Sequence, residues 1–300
     1  MKSITVLMST YNGEKYLREQ IDSILSQTGV TVHLLVRDDG SSDGTKAILE
    51  SYSGDGKLHW YTGSNKGAAY SFLDLLKNAP EDDYFAFSDQ DDIWDSEKLL
   101  SATKVLEQYP SEEIVLYSCS SRIVDKDNNI MHVSSTKPPV TTYIDSLIHN
   151  NNQGCTMVFS QALWRLLKKY NGNNLFMHDD LAMKVCLATG GTVYKDPVPY
   201  MGYRQHGNNV IGTGESFGHS LRRRISSLVL QSCERSKELK DIFHEYKEQI
   251  PVENRDVLEE IAFYKERRFG KLKVILDRRI KASDKKTTRH FHVGILLGFF

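Results

Sequence analysis

Three hundred residues, 40% apolar and with only seven prolines, suit a folded chain of one large or two modest domains. The formal charge of −1 hides a split: residues 1–219 hold 19 Lys/Arg against 27 Asp/Glu, and residues 220–300 hold 19 against 12. No window approaches the 18 apolar residues of a spanning helix, no signal-peptide segment opens the chain, and Cys119, Cys155, Cys186 and Cys233 match neither a zinc spacing nor a CxxC redox pair. Reduced thiols in the cytosol are expected.

Strand-like Ile4 to Met8 precedes a polar break, Ser9-Thr10-Tyr11-Asn12-Gly13, and a helical pattern through Leu17, Ile21 and Ile24. A second strand, Val32 to Val36, ends at Arg37-Asp38-Asp39-Gly40-Ser41-Ser42-Asp43-Gly44, with a helix from Thr45. Leu58 to Tyr61 is a third strand, Gly67 to Leu76 a third helix, and Tyr84-Phe85-Ala86-Phe87 a buried strand that exits into Asp89-Gln90-Asp91-Asp92. This repetition predicts an α/β fold with a mostly parallel sheet flanked by helices, its ligands outside the carboxyl ends of the strands, where the polar breaks fall. Further on, a strand over 114–118, a strand from Gly154 to Phe159, a helix from His178 to Ala188, and two edge strands, Val193–Tyr194 and Val198–Tyr203, are expected. Beyond Gly218 the pattern is helical and basic, dividing the chain into a sheet domain, 1–218, and a helical region, 219–300.

The loops carry the chemistry. Ser9 to Asn12 offers hydroxyls, an amide and a ring that suit a phosphate and a flat base, although an ordinary helix cap would look the same. A carboxylate in the 38–43 loop can accept the imide hydrogen of uracil or thymine. Two aspartates one residue apart at a strand exit, Asp89 and Asp91, can reach a divalent cation, and that cation a diphosphate; the same residues would also serve as an acidic turn. Trp94 stands where an EF-hand needs glycine, and no GxGxxG follows the first strand, which argues against dinucleotide binding.

Four segments in order, Val6 to Gly13, Val36 to Thr45, Asn65-Lys66-Gly67 and Phe87 to Trp94, resemble the family 2 glycosyltransferases with their GT-A fold. His178-Asp179-Asp180 and Tyr203-Arg204-Gln205-His206-Gly207-Asn208-Asn209-Val210-Ile211-Gly212 add a narrower likeness to bacterial polysaccharide rhamnosyltransferases. The resemblance implies that Ser9, Tyr11 and Asp39 touch the nucleoside, with Asn65 and Gly67 bordering it. It implies Asp91 as direct ligand of Mn²⁺ or Mg²⁺, Asp89 at the ribose or a metal-bound water, and His206 as third ligand or diphosphate contact. Asp179 is the preferred catalytic base and Asp180 the alternative. The 150–154 loop resembles the acceptor side, and Trp94 is a candidate for lining the sugar pocket.

An inverting, metal-dependent enzyme follows, moving a sugar, expected to be L-rhamnose from dTDP-L-rhamnose, onto a lipid-linked glycan for a surface or cell-wall polysaccharide. The basic C-terminal region, with Arg222-Arg223-Arg224 and Lys265-Glu266-Arg267-Arg268 beside apolar residues, would meet the anionic inner face of the cell membrane as a peripheral protein. Its aromatics form no platform for nucleic acid. The competing readings are a UDP-dependent glucosyl or galactosyl transferase, a sugar-phosphate nucleotidyltransferase, and a non-catalytic glycan-assembly subunit; a homo-oligomer stays open.

Overall fold

The computed structural model describes residues 1–133, 140–205, 235–298 and 300. A nine-stranded sheet forms the middle of three layers. Its first half is parallel: β1 (Ser3–Thr10) pairs with β2 (Thr31–Asp38) on one side and β4 (Tyr84–Ser88) on the other, and β3 (His59–Thr62) extends β2. The connecting helices are α1 (Leu17–Leu25), α2 (Thr45–Gly54) and α3 (Gly67–Asn78). Next to β4 the direction reverses. β8 (Met157–Ser160) runs antiparallel to both β4 and β6 (Val115–Val124), and β9 (Thr192–Arg204) lies parallel to β6. The short β5 (Ile93–Trp94) closes the far edge on β9, and β7 (Ile130–Val133) makes a hairpin with β6.

Alternation along β1 explains the layers: Ile4, Val6 and Met8 point to one face and Leu7 to the other. The first face is covered by Leu17, Ile21 and Ile24 of α1, Ile48 and Leu49 of α2, and Leu99 and Ala102 of α4 (Lys98–Leu106). The second is covered by α3, α5 (Tyr143–Ile148), α6 (Gln161–Leu167) and α7 (His178–Ala188). Here Trp164 stacks on Phe85 with centroids 4.6 Å apart, and its indole N–H donates to the Leu76 carbonyl at 3.0 Å, so the ring buries no unpaired donor.

The described part of the C-terminal region is helical: α8 (residues 235–246), α9 (Val252–Ala262), α10 (Gly270–Leu276) and α11 (Lys285–Leu297). Leu239, Ile242, Leu258, Ile261, Val274 and Ile295 join the same core as α3, α6 and α7. The expected boundary at 218/219 lies outside the described residues. With α8 and α9 outside it, α7 is buried on nearly every side.

Two expectations are corrected. The two edge strands at 193–194 and 198–203 are one strand, β9, in the interior between β6 and β5. Register shifts at Ser118/Ser120 and Ser120/Arg122 accommodate Pro197 and Pro199, which a regular ladder would reject. The strand expected from Gly154 begins at Met157, after a single 3₁₀ turn, Gly154–Thr156.

Candidate active site

A cleft of about 1100 Å³ opens over the carboxyl ends of β1, β2 and β4. Ser9, Tyr11, Asp39, Asn65, Gly67, Asp89, Asp91, Asp179 and Asp180 all line it, as does the 150–154 loop. His206 lies outside the described residues. Trp94 is absent from the lining: it is 3% exposed in the core, with the Lys98 ammonium 3.1 Å from its ring centroid.

At the β2 exit the two neighbouring aspartates diverge. Asp38 is fully buried and accepts from Gly40 N, Ser41 N and the Thr62 hydroxyl, so it shapes the loop. Asp39 turns to the cleft, ion-paired with buried Arg37, while its carboxylate accepts from Lys66 N and Gly67 N at 2.9 Å each. Those donors open α3, where a carboxylate is favoured by the unsatisfied N–H groups. Gly67 enters the helix at φ +75°, a conformation that favours glycine. Ser9 donates to the Ser71 hydroxyl at 2.6 Å, and Tyr11 is 47% exposed, with its ring available to a flat ligand.

At the β4 exit, carboxylates crowd. Burial, then the charge of Asp91, pushes Asp89 up to about 7. Burial and the charges of Asp89 and Asp91 push Asp92 well above the usual carboxylate range. One oxygen of Asp92 accepts from Arg204 N at 3.1 Å, and the other is buried with no hydrogen-bond partner among the described residues. The Asp89, Asp92 and Cys155 ligand atoms lie within 4.8 Å of one another. Crowded carboxyls that resist ionising together, one of them with an orphaned oxygen, fit a divalent cation bound by oxygen ligands, whose charge would favour their ionised forms. The Cys155 thiol is a poor ligand for Mg²⁺, and burial keeps it protonated. Asp89 and Asp91 are the carboxylates on the cleft side; Asp92 sits behind them.

Arg204 braces this exit. Its guanidinium donates to the Asp91 carbonyl at 2.9 Å, the Lys126 carbonyl at 2.8 Å and Glu19 at 2.6 Å, and stacks over Tyr16 at 4.5 Å. Glu19 and Lys126 are remote in sequence, which is why the residues alone do not reveal this brace.

Across the cleft, Asp179 accepts from Gly154 N at 3.2 Å and from Asp180 N at 2.8 Å. Burial, with Asp180 beside it, pushes its carboxyl up to about 7. Asp180 turns inward, bound to Lys184 at 2.6 Å, and both side chains are at most 3% exposed. His178 is stacked on Phe72 at 3.7 Å and edge-on to Phe87 at 4.7 Å; burial pushes it down to about 3, so the ring is neutral. Gly154 is obligatory here: a Cβ would stand 2.6 Å from His178 Nε2 and 3.2 Å from the Asp179 Cβ.

A family model described as glycosyl transferase family 2 matches residues 5–167. The dTDP-rhamnosyl transferase RfbG of Shigella flexneri is 32% identical over 234 residues, covering 72% of this chain and 77% of that protein. The uncharacterized glycosyltransferase RT0329 of Rickettsia typhi is 26% identical over 181 residues, or 59% of this chain and 56% of that protein. Among solved structures, S. aureus TarS 1–349 in complex with UDP-GlcNAc aligns at a TM-score of 0.54 and 16% identity, over 99% of this chain and 92% of that one. That likeness extends to the fold, and the expected GT-A architecture is met.

Proposed function

Because the chain belongs to glycosyl transferase family 2, we propose that it is an inverting, metal-dependent enzyme that transfers L-rhamnose from dTDP-L-rhamnose to a lipid-linked glycan in polysaccharide synthesis. The observation that carries the reading is the opposition of two carboxylate groups across one cleft: Asp89 and Asp91 at the β4 exit, and Asp179 on the far wall. The likeness to RfbG supports the choice of donor.

In this reading Ser9 and Tyr11 hold the nucleoside, and Asp39 faces the pyrimidine, fixed by Arg37 and by the first N–H groups of α3. Asn65 and Gly67 border it. Asp91 and Asp89 hold Mn²⁺ or Mg²⁺, with His206 as a candidate further contact. A cation bound there would neutralise the charge that grows on the departing diphosphate. Asp179 takes the proton from the acceptor hydroxyl. Its raised pKa makes it a stronger base than a surface aspartate, and its two backbone N–H donors keep the carboxylate aimed. Asp180 is the weaker candidate because its charge is spent on Lys184. One base facing the anomeric carbon opposite the leaving group gives inversion.

No helix among the described residues is long and apolar enough to cross a membrane. A peripheral position on an anionic leaflet is supported by α10 and α11, where Phe269, Leu272, Leu276, Val293, Leu296 and Leu297 are all exposed. Residues 265–289 hold 11 Lys/Arg against three Asp/Glu.

The test is incubation of purified protein with dTDP-, UDP- and GDP-sugars and a rhamnosylated lipid acceptor, with Mn²⁺ or with EDTA. Product from dTDP-L-rhamnose that EDTA abolishes is the expected result. Transfer from UDP-glucose alone would overturn the donor, and unchanged turnover in EDTA would overturn the metal.

A further inference from the structure

We infer that α8, which lies beyond the matched region 5–167, forms the back wall of the catalytic centre, with Glu238 and Asp241 acting as positioning residues for the base. The inference rests on the reading of Asp179 as that base.

Arg235, Glu238 and Asp241 follow one another at intervals of three and so share one side of the helix. Each is bonded to the wall that carries Asp179. Arg235 lines the cleft, donates to the Ile148 carbonyl at 2.7 Å and lies 5.1 Å over the Phe176 ring. Glu238 is fully buried; one carboxylate oxygen accepts from Phe176 N at 3.0 Å and the other from the Lys184 ammonium. Lys184 in turn binds Asp180 at 2.6 Å. Asp241 accepts from Asn174 N at 3.0 Å and from its side-chain amide at 2.9 Å.

Residues 173–177 have no regular secondary structure, yet they lead directly into α7 and the base. Their backbone groups therefore depend on side chains for their partners. α8 supplies those for the N–H groups of 174 and 176. From the opposite side, the Tyr70 hydroxyl accepts from Leu175 N at 3.2 Å and donates to the Asn173 carbonyl at 2.6 Å. Glu238 holds both the approach to the base helix, through Phe176, and its first turn, through Lys184 and Asp180. Proton transfer is sensitive to placement at the scale of about 1 Å, which can cost on the order of 100-fold in rate. Loosening this clamp should therefore slow chemistry and leave the donor side, built by β1, β2 and β4, undisturbed.

The experiment compares full-length wild type, E238Q, D241N and D179N. Turnover is measured with the donor that the sugar-nucleotide panel selects, together with nucleotide affinity by calorimetry and Tm. Positioning predicts a fall in kcat of at least tenfold for E238Q and at least threefold for D241N, with nucleotide Kd within twofold of wild type. D241N serves as the milder variant, since Asp241 is only partly buried. Wild-type kcat in both variants would overturn the inference, as would loss of nucleotide affinity and Tm in step with kcat. Normal transfer by D179N would instead remove the base assignment itself, whereas an inactive D179N beside fully active α8 variants would remove only the role of α8.

Discussion

Replacing Asp179 by asparagine should slow transfer severely and yet stabilise the protein at alkaline pH. The carboxyl is raised from an ordinary 3.8 to about 7, first by burial and then by Asp180. That displacement is worth roughly 4 kcal/mol against the ionised form. The sign follows from linkage: below 3.8 the group is neutral in folded and unfolded chains alike, so no penalty exists. Between 3.8 and about 7 only the unfolded chain ionises and the native state loses ground, and above 7 the whole penalty is present. Asparagine removes the charge but leaves one oxygen for two donors, Gly154 N and Asp180 N, at a cost of about 1 kcal/mol. The net expectation is about 3 kcal/mol of added stability at pH 8, shrinking to nothing or to a slight loss near pH 4. Urea unfolding at both pH values, in EDTA, measures the difference, and sugar transfer at pH 8 should fall by roughly 10²–10⁴. Normal turnover by Asp179→Asn, or an equal loss of stability at both pH values, would refute the reasoning.

Other outcomes follow from the same geometry. In wild type, kcat/KM should fall about tenfold per pH unit below 7 as Asp179 takes up its proton, and Asp180→Asn should move that limb to lower pH by removing the second cause of the rise; a pH profile unchanged by Asp180→Asn would count against Asp179. Asp39→Asn removes the nearer of two carboxylates from the buried Arg37 guanidinium, leaving Asp74 at 3.6 Å, so stability should drop by about 2 kcal/mol and the donor KM should rise; calorimetry with dTDP or UDP reads the second effect separately. The double variant Leu272→Gln/Leu276→Gln replaces exposed side chains, so Tm should stay unchanged while sedimentation with phosphatidylglycerol-containing vesicles weakens. Equal sedimentation of variant and wild type would remove α10 from the proposed membrane surface.

Much of the cleft wall at the β1, β2 and β4 exits was legible because it is local. Apolar residues at period two in β1 and at the helical repeat in α1 set the sheet and its first helix, and each polar break then had to fall at a strand exit. Asp39 was told from Asp38 by the family resemblance alone, whereas Asp89 and Asp91 needed no tertiary information to be singled out. Their neighbours did: nothing in Arg37-Asp38-Asp39 says that the first aspartate turns inward to shape the loop while the second faces the cleft. The same holds for Asp179 and Asp180, which differ because Lys184, one helical turn on and itself bound by Glu238 54 residues farther, claims one of them. β9 was misread because proline usually ends a strand, whereas a shifted register absorbs Pro197 and Pro199. Gly154 carried a faint signal as the one glycine of its loop, but the reason for it, a histidine and an aspartate pressed against its Cα, exists only in three dimensions.

The change of strand direction at β8 has a consequence for how such proteins diversify. Most of the pocket's two sides comes from separate stretches of chain, residues 9–91 and residues 150–180, while Ile123 and His132 add to the lining and Arg204 of β9 reaches back to brace the β4 exit. A recombination event between them could exchange the alcohol recognised without retraining recognition of the activated sugar, provided the incoming stretch brought its own α8 and an arginine to brace the β4 exit as Arg204 does. Linkage diversity among surface glycans would then arise by shuffling halves, with the seam between β4 and β8 as the crossover point.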